Sequence, residues 1–117
     1  MLFLLLTPIP LMSATWSGFL VNGSCYAALE RNVNPRDNAT YVDRDMTWQL
    51  RYCSPNAKTR NFALVQEDWS SLTFDAAGDA KAAELFRKSG KKTFFRVVVN
   101  GERNKDTIQT ESISLNR

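Results

Sequence analysis

The stretch Lys91-Lys92-Thr93-Phe94-Phe95-Arg96-Val97-Val98-Val99-Asn100-Gly101 does most to limit what this chain can become. β-Branched and aromatic residues fill it and Asn-Gly closes it, which is the composition of a strand followed by a turn. Phe95, Val97 and Val99 fall on one face, and Phe94, Arg96 and Val98 on the other. Apolar side chains on both faces need cover on both, so this strand belongs in a closed or covered sheet. Arg96 is the exception. A cation among bulky apolar neighbours must reach solvent or meet an acid.

The segments around it supply the rest of a small β fold. Thr15–Asn22 reads as a first strand, with Trp16, Gly18 and Leu20 on one face and Phe19 and Val21 on the other. Gly18 within it marks a bend, a bulge or a close backbone approach, and Asn22-Gly23 stops it. Thr59–Asp68 and Leu72–Asp75 are the second and third strands, joined through Glu67-Asp68-Trp69-Ser70-Ser71. Phe62 and Leu64 share a face, as do Leu72 and Phe74. Asp79–Ser89 is a short helix capped by Asp79, with Ala82, Leu85 and Phe86 as its apolar face and Gly90 as its stop. Lys92–Asn100 is the fourth strand, and Gly101–Asp106 a polar turn. Thr107–Leu115 is the fifth strand. Ile108 and Thr110 are in phase, but Ile113 and Leu115 are one residue out, which predicts a bulge at Glu111 or Ser112.

Between the first and second strands lies an irregular insertion. Residues 32–40 are a loop. Asp43–Cys53 has helical spacing, with Asp45 as a cap and Met46, Leu50 and Cys53 on one face. The order strand, insertion, strand, strand, helix, strand, strand is that of a mostly β, OB-like five-stranded barrel. A small sandwich or open roll is the alternative.

Residues 1–14 read as an export signal: an apolar run to Met12, broken by Pro8 and Pro10, then small residues at Ser13-Ala14. No Lys or Arg precedes the run, which a start assigned too far downstream explains. The run is about half the length of a membrane-crossing helix, so a buried N-terminal segment is the rival. Residues 15–117 then form one domain, periplasmic or secreted and not membrane-spanning once the signal is removed. Cys25 and Cys53 are the only cysteines, and in an oxidising compartment they pair with each other. Two reduced thiols or an intermolecular bridge are the alternatives.

Trp16-Ser-Gly-Phe-Leu-Val-Asn-Gly-Ser-Cys25, Phe62-Ala-Leu-Val65, Leu72-Thr-Phe-Asp75, Gly90-Lys-Lys-Thr-Phe-Phe-Arg-Val97 and Asp106-Thr-Ile-Gln-Thr-Glu-Ser-Ile113 occur in that order. In this order they resemble a family of small exported bacterial proteins of unknown function, which are OB-like and contain cysteines. The resemblance covers nearly all of residues 15–117. Members of that family carry a further Cys four residues before the second; here that position is Gln49.

Chemistry-bearing motifs are scarce. The chain has no His, which removes the commonest general base and metal ligand. It has no Gly-x-Ser-x-Gly and no Cys-x-x-Cys. Glu67-Asp68 is the only adjacent carboxylate pair and falls in a turn. No enzyme activity, metal or cofactor is therefore expected. Fifteen basic and twelve acidic residues are interspersed, and export disfavours a nucleic-acid partner. The expected function is a non-enzymatic binding module of the cell envelope, for a glycan, a small ligand or a protein. A structural or stress-related envelope protein without a ligand is the alternative. OB-like sheets bind across strands two and three, which points to Trp69, Lys58 and Arg60; packing of Trp69 against a loop is the plainer reading.

Overall fold

The computed structural model describes residues 13–32, 47–90 and 94–116. The expected export signal, the loop over 32–40, Asp45, Met46, Lys91 and Lys92 fall outside these residues, apart from Ser13, Ala14 and Asn32. Five strands, β1 (Ala14–Asn22), β2 (Phe62–Val65), β3 (Ser71–Phe74), β4 (Arg96–Asn104) and β5 (Thr107–Leu115), form one sheet. The helices are α1 (Gly23–Asn32), α2 (the described residues 47–52) and α3 (Ala76–Ser89). The spatial order is β1-β2-β3-β5-β4, and β4 returns to β1, so the sheet closes. All neighbours are antiparallel except β3 and β5.

Closure depends on β1 serving two partners. Ala14–Phe19 pairs with β4, and Phe19–Asn22 pairs with β2. The change of partner falls at Phe19, next to Gly18, where a Cβ would collide with the Val65 carbonyl oxygen. The glycine expected to mark a close approach does so.

Strand alternation then makes two separate cores. Inward side chains such as Leu20, Leu64, Val97 and Ile108 form the inner core, with Ala82 and Phe86 of α3 closing it. The outward side chains Val21, Ala63 and Val65 pack beneath Tyr26 of α1 and Leu50 of α2. All four residues of β2 are therefore buried.

The bulge lies where the change of phase puts it. Asn100 faces Ser112 and Gly101 faces Thr110, leaving Glu111 as the extra residue on β5. Ile113 and Leu115 thereby return to the inner core.

Several boundaries differ from expectation, each for a physical reason. β2 keeps only Phe62–Val65 of the expected Thr59–Asp68, because Asn56–Thr59 closes a turn before it and Gln66–Ser70 one after it. β4 runs on to Asn104, leaving Lys105-Asp106 as the turn, with Lys105 at φ 61°. Its last residues pair with β5 beyond the core, so they are polar although extended. β4 begins only at Arg96, because Phe94 has a left-handed backbone with φ 56°. α1 continues directly from β1: Asn22-Gly23 starts a helix rather than a loop, with Asn22 Oδ1 accepting from the Cys25 amide at 3.0 Å. α3 starts three residues earlier than expected. Asp75 is its cap, accepting from the Gly78 amide at 2.9 Å and the Thr110 amide at 3.2 Å. Asp79 instead accepts from the Phe62 amide at 2.9 Å. Both carboxylates thus tie α3 to the sheet.

Gly18→Ala is expected to lower stability by about 2–3 kcal/mol, because the added methyl meets fixed backbone. Gly90→Ala, at φ 82° with nothing within 4 Å, is expected to cost about 1 kcal/mol. Urea unfolding ranks the two, and equal losses would remove the close-approach argument.

Partial burial holds the Asp79 carboxyl above its ordinary 3.8; the Phe62 amide opposes the shift and Asp75 adds to it. Folding therefore favours its protonated form. That contribution is complete below pH 3.8 and is lost as pH rises through the raised folded-state value. Asp79→Asn keeps an acceptor for the Phe62 amide, so its stability curve should lack this decline. A variant with the same acid-range slope as the parent would refute the assignment.

Candidate functional site

The residues expected to bind do not converge. Trp69 is exposed and held at φ 71° in a turn. That turn is set by Asp68 Oδ1, which accepts from the Ser70 amide at 3.0 Å and the Ser70 hydroxyl at 2.6 Å. Lys58 and Arg60 are also exposed, but they precede β2 while Trp69 follows it. A strand of this length separates them by about 10 Å or more. The outer face of β2 between them is not open: Ala63 and Val65 lie under α1 and α2. The insertion occupies the place where the strand-two and strand-three face was expected to bind.

The cover is held by several contacts. Cys25 and Cys53 form a disulfide between the first turn of α1 and the end of α2. The Asn22 amide donates to the Cys53 carbonyl at 2.7 Å. Asn61 Oδ1 accepts from both the amide and the hydroxyl of Ser24 at 3.0 Å. Tyr26 is 2% exposed, and burial, then the charge of Glu30, pushes its phenol up to about 12.

The aromatic surface lies on the cover itself. Trp48 and Tyr52 are one helical turn apart on α2, 48% and 62% exposed, and stacked with centroids 4.8 Å apart and planes at 14°. From the same helix, Arg51 lies over the Phe94 ring at 5.6 Å. Phe94 meets Phe19 edge to face at 6.1 Å, and Arg96 lies over the other end, 5.3 Å from the Phe19 centroid. Glu67 pairs with Arg96 at 3.6 Å. A continuous strip of guanidinium, ring, ring, guanidinium and carboxylate therefore runs from α2 to the β2–β3 turn. This also answers the question of Arg96: it reaches solvent and meets an acid. The strip offers π faces and N–H donors, and each cation–π contact at such exposure contributes about 0.5–1 kcal/mol.

The spacing that predicts Leu50 and Cys53 inside α2 also places Trp48 and Tyr52 outside it, so this surface was legible in the helical period. Its continuation to Phe19 was not, since it depends on the left-handed turn at Phe94.

Hollows also lie elsewhere among the described residues. A groove of about 660 Å³ between α3 and β5 has Ala77, Ala80, Leu85 and Ile113 along it and Lys88 and Glu111 at its rim. A hollow of about 550 Å³ at the end of α3 includes Lys58, Phe86 and Arg87. Among the described residues, no three His, Cys, Asp or Glu side chains gather as a metal site, and no helix is long and apolar enough to cross a membrane.

Comparison with family models, curated proteins and solved structures finds no match.

Spectrophotometric titration of the folded protein should show one of its three tyrosines ionising near pH 12. Because the raised value favours the neutral phenol, Tyr26 contributes stability that is complete below pH 10.0 and fades as pH climbs toward 12. Loss of the late-titrating band in Tyr26→Phe, with the other two unchanged, assigns it. Three tyrosines titrating together near pH 10 would contradict the buried placement.

Proposed function

We propose that this chain is an exported, OB-like β-barrel that acts as a non-enzymatic binding module of the cell envelope, and that it binds glycan through Trp48 and Tyr52. The OB-like assignment is supported by the strand order β1-β2-β3-β5-β4, the parallel β3–β5 pair and the helix between β3 and β4. Kinship with the uncharacterised exported family rests on the order of the motifs from Trp16 to Ile113. Export is supported by the apolar run before Ser13 and by the disulfide.

The observation that carries the binding assignment is the exposed Trp48–Tyr52 stack on a disulfide-held helix. Large aromatic faces left in water mark contact surfaces when they adjoin one another. A flat, rigid ring pair suits the C–H face of a sugar ring, and Arg51 beside it supplies donors for hydroxyl or carboxylate oxygens. The partly buried carboxylates Asp75 and Asp79 are bound to backbone amides and serve the fold. That favours binding over catalysis.

Titration calorimetry with soluble envelope glycan fragments tests the reading. Trp48→Ala and Tyr52→Ala are each expected to weaken binding about 5- to 30-fold, the equivalent of about 1–2 kcal/mol per aromatic contact. Both side chains are exposed, so stability should stay within about 0.5 kcal/mol of the parent. Absence of binding by the parent, or binding indifferent to both changes, sinks the proposal. The first outcome would favour the structural envelope role.

A further inference from the structure

We propose that the Cys25–Cys53 disulfide fastens a removable cover, and that its reduction uncovers a second, apolar face of the sheet while the closed sheet stays folded. The inference does not depend on what binds Trp48 and Tyr52.

The two cores share no residue. The inner core is closed by α3 and, among the described residues, contains none of α1 or α2. The outer cluster is small: Val21, Ala63 and Val65 of the sheet meet Tyr26, Leu50 and Cys53 of the cover, with Phe19, Leu29 and Phe94 at its edge. Lifting the cover therefore removes contacts from the outer side of the sheet, at β1, β2, Ser71 of β3 and Phe94. The inner packing and the β4–β5 ladder remain. What is exposed is a sheet face of Phe19, Val21, Ala63 and Val65, flanked by β3.

The bond is also placed for exchange. Cys25 is half-buried, while Cys53 is 1% exposed. Of the two sulfurs, that of the less buried Cys25 is the one a thiolate of a dithiol reductant would attack. The new S–S bond forms there as the Cys25–Cys53 bond breaks, and Cys53 leaves as a thiolate and takes a proton. The reductant's second thiol then attacks the mixed disulfide, releasing Cys25. The protein gains two electrons and two protons, and the reductant becomes a cyclic disulfide. After that, among the described residues, the outer cluster, the Arg51–Phe94 contact, the continuation of β1 into α1 and a few hydrogen bonds hold the cover.

The test compares oxidised protein with protein reduced by dithiothreitol, checked by mass for the gain of two hydrogens. Hydrogen exchange is read by segment, with the dye anilinonaphthalene sulfonate as probe for the apolar face. Expected are faster exchange in α1 and α2 by at least about tenfold, a severalfold rise in dye fluorescence, and unchanged protection of Val97, Val99 and Ile108. The double variant Cys25→Ser/Cys53→Ser should match the reduced protein without any reductant present. Two results would overturn the proposal. One is a fully reduced protein whose α1 and α2 stay as protected as before. The other is loss of protection in β4 and β5 together with the cover, which would make the two cores one unit.

Discussion

Phe62–Val65 is a strand in which every side chain is buried, and this condition organises both sides of the sheet. Its inward pair, Phe62 and Leu64, needs the closed interior and α3. Its outward pair, Ala63 and Val65, needs a second layer. α3 serves the inner core, so the insertion after β1 supplies the outer layer. α1 and α2 are thus a requirement of β2's composition, and so is the disulfide that holds them together. The same condition explains why β1 alternates between apolar residues throughout Phe19–Val21.

Closing five short strands requires local exceptions to regular geometry, and they occur where the side chains permit. Gly18 lets β1 exchange partners against the Val65 carbonyl. Glu111 is the extra residue that turns β5 and restores Ile113 and Leu115 to the interior. Asp75 joins the end of β3, the first turn of α3 and the Thr110 amide in one hydrogen-bonded unit. Each exception uses a residue whose side chain is absent, exposed or able to bond backbone. None places an apolar group in water or leaves a buried polar side-chain atom without a partner among the described residues.

What could be read from the sequence was whatever alternates or recurs. The five strands, the in-and-out faces of β1 and β2, and a bulge at Glu111 or Ser112 follow from period and phase, and the Gly90 stop from glycine's freedom at a helix end. The misplacements share a cause. Residues 101–104 are polar because they lie beyond the core, and hydrophobic pattern reports burial rather than extension. Asn22-Gly23 carries both a turn signal and a cap signal, and the tertiary contact with Cys53 decides between them. Asp75 and Asp79 both suit a helix start; only the neighbouring Thr110 and Phe62 amides distinguish their roles. The expected site failed for a related reason: Trp69, Lys58 and Arg60 are near in sequence terms, but a strand buried on both faces lies between them.

The exposure of Trp48 and Tyr52 stands apart from all of this. Every other large aromatic ring whose place is described, except Trp69, contributes to one of the cores or its edge. Trp69 follows from a turn geometry fixed by Asp68 and Ser70. Among the described residues, the α2 pair has no such explanation in the fold. Leu50 and Cys53 already seat the helix, and two alanines would leave that seating intact. A stacked pair in water gives up much of the gain that burial would bring, and a neighbouring cation, Arg51, is itself ordered on Phe94. Rigid placement of rings and a guanidinium at a surface lowers the entropy lost when a ligand is taken up. The disulfide and the Arg51–Phe94 contact supply that rigidity from two sides of the same helix, which connects the requirement for a cover to the surface that the cover presents.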